Sequence, residues 1–352
     1  MIQYKKSFKE VYNLKKYLLP KSGNFYKANL HSHSFLSDGK LTPEEMKNLY
    51  KSHGYSVLAY TDHDIFLPHH DLTDENFLAL SGFEAEFNEH NLRKMGGTPC
   101  KTCHLCFIAK SPDIINQPCF NPNDAYISRS KENVSKVQYD KTKPFFQREH
   151  TPESINEMIK TAHEEGFFVT YNHPVWSFET REDYINFDGM NAMEIYNTES
   201  FLLGYPEYNP YIYDEMLRSG KKIFAVAADD NHNKYPEGHP LFASCGGFVM
   251  IKADELKYEK ITDALFSGNF YASNGPEIYD LYIEDEKIHI KCSDCTKITK
   301  NTALRNTKIV CAEAGESINE AVFDISPEDV YVRLSIFDKD GKFAHTNAYF
   351  LL

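Results

Sequence analysis

Hydrophobic and polar positions divide the chain into two regimes. From about residue 25 to residue 273, short apolar runs alternate with helical patterns. The runs predict strands over 25–30, 56–61, 104–109, 167–171, 192–196 and 223–228. Four of them are continuous apolar stretches bounded by polar turn residues, the pattern of strands buried on both faces. Helix starts lie between them. Thr42 stands as an N-cap, Pro43 at the first helical position and Glu45 three residues after the cap. Thr151-Pro152-Glu153 repeats the signal ahead of Ile155, Met158, Ile159 and Ala162, which share one helix face. Strand and helix in alternation predict parallel βα units and an α/β fold.

Two stretches break that rhythm. Residues 88–150 carry Gly96-Gly97, five prolines and many polar residues. They read as one strand plus a long insertion, a candidate lid. Beyond Gly275-Pro276, short alternating segments predict strands near 279–283, 287–292, 307–312, 330–338 and 344–351, with a hairpin turn at Asp338-Lys339-Asp340-Gly341. The expected organisation is an N-terminal arm or helix over 1–22, one domain over 23–275 that includes the insertion, and a small all-β domain over 276–352.

Composition narrows the function classes. The 352 residues are 41% hydrophobic, ordinary for a globular chain and long enough to bury a core without disulfide or metal staples. No run approaches the roughly 18 apolar residues of a spanning helix. The first residues lack a continuous apolar stretch and a small-residue cleavage site, so a cytoplasmic location is expected. With 38 basic and 51 acidic residues the net charge is −13, which repels a long polyanion. Extended nucleic-acid binding and membrane association are therefore not expected, and a small phosphorylated partner is. The eight cysteines of such a chain read as reduced thiols.

The chemistry gathers at strand ends. His31-Ser32-His33 closes the first run and Ser37-Asp38-Gly39 follows it. Residues two apart on a strand share a face, so both imidazoles can reach one cation. Thr61-Asp62-His63-Asp64 closes the second run. Gly82-Phe83-Glu84 supplies a carboxylate able to bridge two cations, and His104 opens a strand. Asn172-His173-Pro174 and Asp229-Asp230-Asn231-His232 close two more. One polar cluster at a strand end is ordinary. Its recurrence points to a shared centre, at the place where barrels keep their chemistry. Imidazole with carboxylate suits Zn, Mn or Fe.

At these residues the sequence resembles the PHP (polymerase and histidinol phosphatase) family of metal-dependent phosphoesterases. The matching motifs are HSH with SDG, TDHD, GFE, His104, NHP and DDNH, in the family's order over about 200 residues, a full domain's length. The segment Tyr271-Ala272-Ser273-Asn274-Gly275-Pro276 and the late Asp-Gly turn resemble stand-alone bacterial members. The resemblance implies a distorted, TIM-like seven-stranded β/α barrel with up to three divalent metals. One would take His31, His33, Glu84 and Asp230. A second would take Asp38, His63 and His232. A third would take Glu84, His104 and His173. It implies hydrolysis of a small phosphate ester, of the nucleotide or sugar phosphate class, by a metal-activated water, with Asp230 among the catalytic residues. Asp64, next to His63, is a candidate to orient it or to shuttle a proton. Arg148, Arg93 and Lys110 are candidate phosphate clamps.

Two other functions compete. An amidohydrolase-like metal hydrolase acting on a non-phosphate bond would place a bridging lysine where Glu84 stands. A non-catalytic metal- or ligand-binding module would dock through its β tail. Cys100-Lys101-Thr102-Cys103-His104 spells the c-type haem pattern, which requires export and competes for His104. Cys100, Cys103 and Cys106 could instead bind zinc or simply be buried; Cys292 and Cys295 form a second C-x-x-C. Tyr205, Tyr208, Tyr211 and Tyr213 either frame a ring-binding pocket or pack a loop, and packing is the preferred reading.

Overall fold

The computed structural model describes Tyr12, residues 14–89 and residues 100–351. Arg93 and most of the arm expected over 1–22 lie outside the described residues. Strands β1 (Lys16–Tyr17) and β2 (Asn24–Asn29) lead to helix α1 (Pro43–Ser52). The start of α1 is the capping box read above: the Glu45 N–H donates to Thr42 Oγ1 and the Thr42 N–H donates to the Glu45 carboxylate. Strands β3 (Val57–Tyr60), β4 (Leu78–Asn88) and β5 (Thr102–Ala109) follow, then helices α2 (Ser128–Asn133) and α3 (Pro152–Glu164). Helix α3 buries Ile155, Met158, Ile159 and Ala162, the face its spacing predicts. Next come β6 (Phe167–Tyr171), α4 (Arg181–Tyr184), β7 (Ala192–Asn197), α5 (Thr198–Leu202), α6 (Pro210–Arg218) and β8 (Phe224–Ala228). Strand β9 (Phe248–Ala253), helix α7 (Tyr258–Phe266) and β10 (Phe270–Ser273) complete this region.

These strands form one sheet in the order β10-β9-β2-β3-β4-β5-β6-β7-β8. The triplets β2-β3-β4 and β6-β7-β8 are parallel, as alternation predicts. Strand β5 runs against both its neighbours, and β9 runs against β2 and β10. The architecture is α/β, but its hydrogen-bond ladder does not close into a ring among the described residues. The ends of β8 and β2 meet through one isolated bridge, Ser32 to Asn231, and through Asp230 N–H to His31 O at 3.0 Å. The Asn29 side chain takes the Asp229 N–H at 3.0 Å, standing in for a ladder partner.

Strand β4 escapes a sequence reading because Ser81, Gly82 and two glutamates interrupt its apolar pattern, yet every residue from Leu78 to Phe87 is buried. Gly82 is required there: a Cβ would stand 2.6 Å from the Phe107 carbonyl oxygen across the pair.

The tail comprises β11 (Ile278–Glu284), β12 (Lys287–Cys295), β13 (Lys297–Thr302), β14 (Lys308–Cys311), β15 (Ile318–Asp324), β16 (Tyr331–Phe337), β17 (Phe343–Thr346) and β18 (Tyr349–Phe350). The turn between β16 and β17 is the one expected: Asp338 Oδ1 accepts the N–H groups of Asp340 and Lys342, both at 2.9 Å. Strand β17 pairs with β10, so the large sheet runs on through the boundary expected at residues 275–276. Strand β1, from the arm, pairs with β11 in a second sheet of order β1-β11-β12-β15. Leu18, Leu281, Ile288, Ile290, Ile298, Leu334 and Ile336 fill the core shared by the two sheets.

The tail is tied to the first region by Arg333 and Asp214, 2.6 Å apart, and by the Tyr208 hydroxyl at 2.9 Å from His345 Nε2. Tyr208 also stacks on Phe343, and the buried Tyr213 donates to the Ile223 carbonyl. These two tyrosines pack a loop rather than frame a pocket. No helix among the described residues is long and apolar enough to cross a membrane.

Candidate metal centre

Parallel strands β2, β3, β6 and β8 end on one side of the sheet, and the polar motifs follow directly after them. His104 stands near the start of its strand, which would point it away in an all-parallel sheet. The reversed direction of β5 brings it to the same mouth, with its backbone opposite Glu86 and its ring against Glu84. Residues 129–133 lie against the loops that carry these motifs. Ser130 Oγ donates to the His63 carbonyl at 2.8 Å, Asn133 to the Leu36 carbonyl, and Arg129 to the carbonyls of Ser37 and Gly39. Gly39 is forced by the same loop: a Cβ would lie 2.1 Å from the His33 carbonyl oxygen.

All nine sequence-predicted ligands converge. Four overlapping groups have ligand atoms within 4.8 Å of one another: His33, Asp38, His63 and His232; His31, Glu84 and His173; His31, His33 and Asp230; His63, Glu84 and His104. Glu84 lies at the middle. Its oxygens are 3.2 Å from His31, 3.4 Å from His33, 3.1 Å from His63, 3.1 Å from His104 and 3.3 Å from His173. Asp230 Oδ1 stands 2.9 Å from His33 Nε2 and 3.2 Å from His31 Nε2. Asp38 Oδ2 is 3.3 Å from His232 Nε2. Every ligand except Asp38 is buried.

Electrostatics follow from this crowding. Burial pushes the Glu84 carboxyl up, but His31, His104 and His63 outweigh it and hold it well below the usual range. Asp230 behaves likewise against His31 and His33. Burial lowers His173, yet Glu84 and Asp230 lift it to about 9. His31 and His232 are raised in the same way by their carboxylates. His33 is the exception: burial and the neighbouring His63 and His232 bring it down to about 4, leaving its lone pair available. Several buried ligand atoms have no hydrogen-bond partner, namely His33 Nδ1, His63 Nδ1, Glu84 Oε2 and His104 Nε2. Buried imidazole and carboxylate atoms left without a hydrogen-bond partner are a donor set that fits divalent cations.

Residues unread in the sequence support the ligands. His31 Nδ1 is 2.7 Å from Glu194 Oε1, which turns Nε2 toward the mouth. His232 Nδ1 is 3.0 Å from Glu199 Oε2, and His173 Nδ1 is 3.2 Å from Ser177 Oγ. Asn172 donates to Glu84 Oε1 at 2.7 Å. Glu194 had a signal: it is a lone acid inside the apolar run Ala192–Asn197. Backbone strain gathers here as well, with φ of +62° at Asp64, +24° at His173 and +53° at Asp230.

Asp64 gives its carboxylate to Arg148, while the His63 ring has Glu84 and Asp38 beside it. Arg148 is therefore held by Asp64 and, through Nε at 3.1 Å, by Asp124. Lys110 pairs with Asp263 at the opposite end of β5, away from the mouth. Trp176, the sole tryptophan of the chain, lies 4.9 Å from the His173 ring and 5.2 Å from the His104 ring. Cys103 and Cys106 are buried, and no cysteine enters a ligand group among the described residues.

No protein-family model matches the chain, and no curated protein matches it. Among solved structures it is similar to a two-domain protein of Bacteroides vulgatus containing a predicted PHP-like metal-dependent phosphoesterase, at 12% identity and a TM-score of 0.44, over 95% of this chain and 98% of that one. It is similar to a protein of Bifidobacterium adolescentis assigned as a metal-dependent phosphoesterase, at 16% identity and a TM-score of 0.36, over 63% of this chain and 91% of that one. An amidohydrolase of Chromobacterium violaceum, with bound sulfate and no metal, shares 14% identity and a TM-score of 0.38, over 58% of this chain and 87% of that one. Two of these three structural neighbours thus carry a metal-dependent phosphoesterase assignment.

Proposed function

We propose that the chain is a metal-dependent hydrolase of small phosphate esters, of the nucleotide or sugar phosphate class. One observation carries the reading: six buried or nearly buried imidazoles and three carboxylates meet around Glu84. The ligand sets are those the resemblance implies, up to three ions of Zn, Mn or Fe. The distorted barrel belongs to the same reading, supported by the bridge between the ends of β8 and β2. Divalent ions held there would acidify water and offset charge on the phosphoryl oxygens.

The protein's own residues do the rest. Glu194 and Glu199 orient His31 and His232. Arg129, Ser130 and Asn133 brace the loops that carry Asp38 and His63. Lys234, at the rim and 3.3 Å from Glu199, offers a cation to the phosphate. Burial lifts Asp64 to about 6 in spite of Arg148, which suits it to exchange a proton near neutral pH. Arg148, engaged by two carboxylates, enters as the residue that positions Asp64 rather than as a substrate clamp. The amidohydrolase-like alternative calls for a bridging lysine, and the central position holds Glu84 instead.

The test is phosphate release by metal-loaded protein from a panel of small phosphoesters, with Asp230→Asn as control. Turnover of at least one ester is expected, and Asp230→Asn should lower it by about a hundredfold or more. Full metal occupancy by elemental analysis with no turnover on any ester would sink the reading.

A further inference from the structure

The turn that carries His173 out of β6 draws its hydrogen bonds from distant acids. Pro174 has no N–H to offer. The N–H groups of His173, Val175 and Trp176 all donate to carboxylates: His173 to Glu194 at 3.0 Å, Val175 and Trp176 to Glu207 at 3.3 and 2.7 Å. Glu207 is fully buried and also accepts the Asn209 amide at 2.6 Å. A carboxylate kept from water needs such donors, and the donors need it in return. Glu207 is itself held in place. Its carbonyl accepts the Asn197 N–H at 3.2 Å, the Asn209 N–H donates to the Ile195 carbonyl at 2.7 Å, and Tyr208 between them stacks on Phe343 of the tail. The turn in question builds one wall of the centre. It supplies His173, the Ser177 hydroxyl beside His173 Nδ1, and Trp176. The Trp176 ring packs edge-on against His173 and His104, whose own rings are 4.9 Å apart. All three rings line one small cavity with Glu84, Asp230 and His232.

We propose that Glu207 is a positioning residue of the metal centre: by fixing the turn over 173–177 it sets the reach of His173 toward Glu84 and seats Trp176 against the two imidazoles. The inference rests on the metal-binding part of the function proposed above. His173 has a φ of +24°, a conformation that persists only where the surroundings hold it. Glu194 holds the residue itself, and Glu207 holds the two N–H groups that follow the proline. Without Glu207 those two groups lose their acceptor, and the turn gains nothing by keeping its shape. The His173 ring would then drift from the point it shares with Glu84, His31 and Asp230. A metal site loosened in this way loses affinity although every ligand is still present. Glu207 acts through the backbone of the turn, so what counts is an acceptor at that place. A glutamine keeps one for the shorter bond, from Trp176.

The experiment compares full-length wild type, Glu207→Ala and Glu207→Gln, freed of metal and then titrated with zinc. Trp176 is the sole tryptophan, so its fluorescence reports on the turn directly. Before zinc is added, Glu207→Ala should emit at longer wavelength and be quenched more readily by acrylamide. Its zinc affinity should fall about 10- to 100-fold. Glu207→Gln should return both readings toward wild type. Lys300→Met, a destabilising change in the tail core, separates positioning from a general loss of stability and should move neither. Wild-type fluorescence and affinity in Glu207→Ala overturn the proposal. So does a Glu207→Gln protein that behaves like the alanine variant, or a Lys300→Met protein that loses as much affinity. Each of those results leaves the metal centre standing. If the wild type binds no zinc, the metal centre itself fails and fluorescence alone decides: equal spectra for wild type and Glu207→Ala overturn the proposal. If Glu207→Ala does not fold, Glu207→Asp, whose shorter side chain cannot reach both N–H groups, carries the same comparison.

Discussion

The metal centre and the C-terminal sandwich bury polar groups on opposite terms. In the sandwich, Lys300 and Asp329 are 2% and 1% exposed and lie 2.9 Å apart, and Lys300 donates a further bond to the Asp324 carbonyl. Charge there is cancelled where it is buried. At the mouth, histidines and acids crowd one another while His33, His63, Glu84 and His104 keep unpartnered atoms. Beyond residue 275, Tyr349 alone among the described residues leaves a buried side-chain polar atom unpartnered. Native chains rarely tolerate such atoms, so their concentration in one place marks where an external partner belongs.

Breaking the closed pair should give the largest effect. Lys300→Met leaves the buried Asp329 carboxylate without its cation, held only by the Asn306 amide and the Ser326 N–H, and should cost about 3–5 kcal/mol in chemical denaturation. The double variant with Asp329→Leu should recover most of that loss. If the single variant matched the wild type, the contrast between the two regions would not hold.

A gentler change sharpens the other side. Glu194→Gln keeps a partner near His31 but withdraws its charge, and metal affinity should drop about 10- to 100-fold. Trp176, close to two ligand rings, makes this measurable as a fluorescence titration. Unchanged affinity would mean that Glu194 does not serve the ion.

The smallest expected effect is a pH dependence of stability in the metal-free form that the loaded form lacks. His31, His173 and His232 are raised in the folded, metal-free protein. Their contribution to stability is complete below the unfolded value of 6.5 and fades as pH rises through the folded values, about 9 for His173. The Tm of metal-free protein should therefore decline between those limits. A cation must displace the same protons, so its binding should strengthen across that window and hold the Tm of the loaded form. A rising Tm without metal would contradict the proton inventory drawn from the geometry.

The site was more legible than the frame that carries it. Metal ligands announce themselves by residue type, and HSH, TDHD, NHP and DDNH each follow a readable apolar run. Strand direction has no such signature. Nothing in Thr102–Ala109 says that it runs against β4, and only that reversal explains why His104 meets the others. Strand β13, Lys297–Thr302, is polar at every position but Ile298 and takes its place from pairing with β14 and β16 rather than from its own pattern. Glu199 went unread because a carboxylate that orients a ligand looks, in one dimension, like any other acid; Glu194 differs only in standing alone inside an apolar run.

The pairing of β1 with β11 has a consequence for synthesis. Lys16 emerges from the ribosome long before its partner Ile283. The first strand of the smaller sheet must wait, unpaired, until β11 has been made. Deleting β1 would leave β11 with an open strand edge.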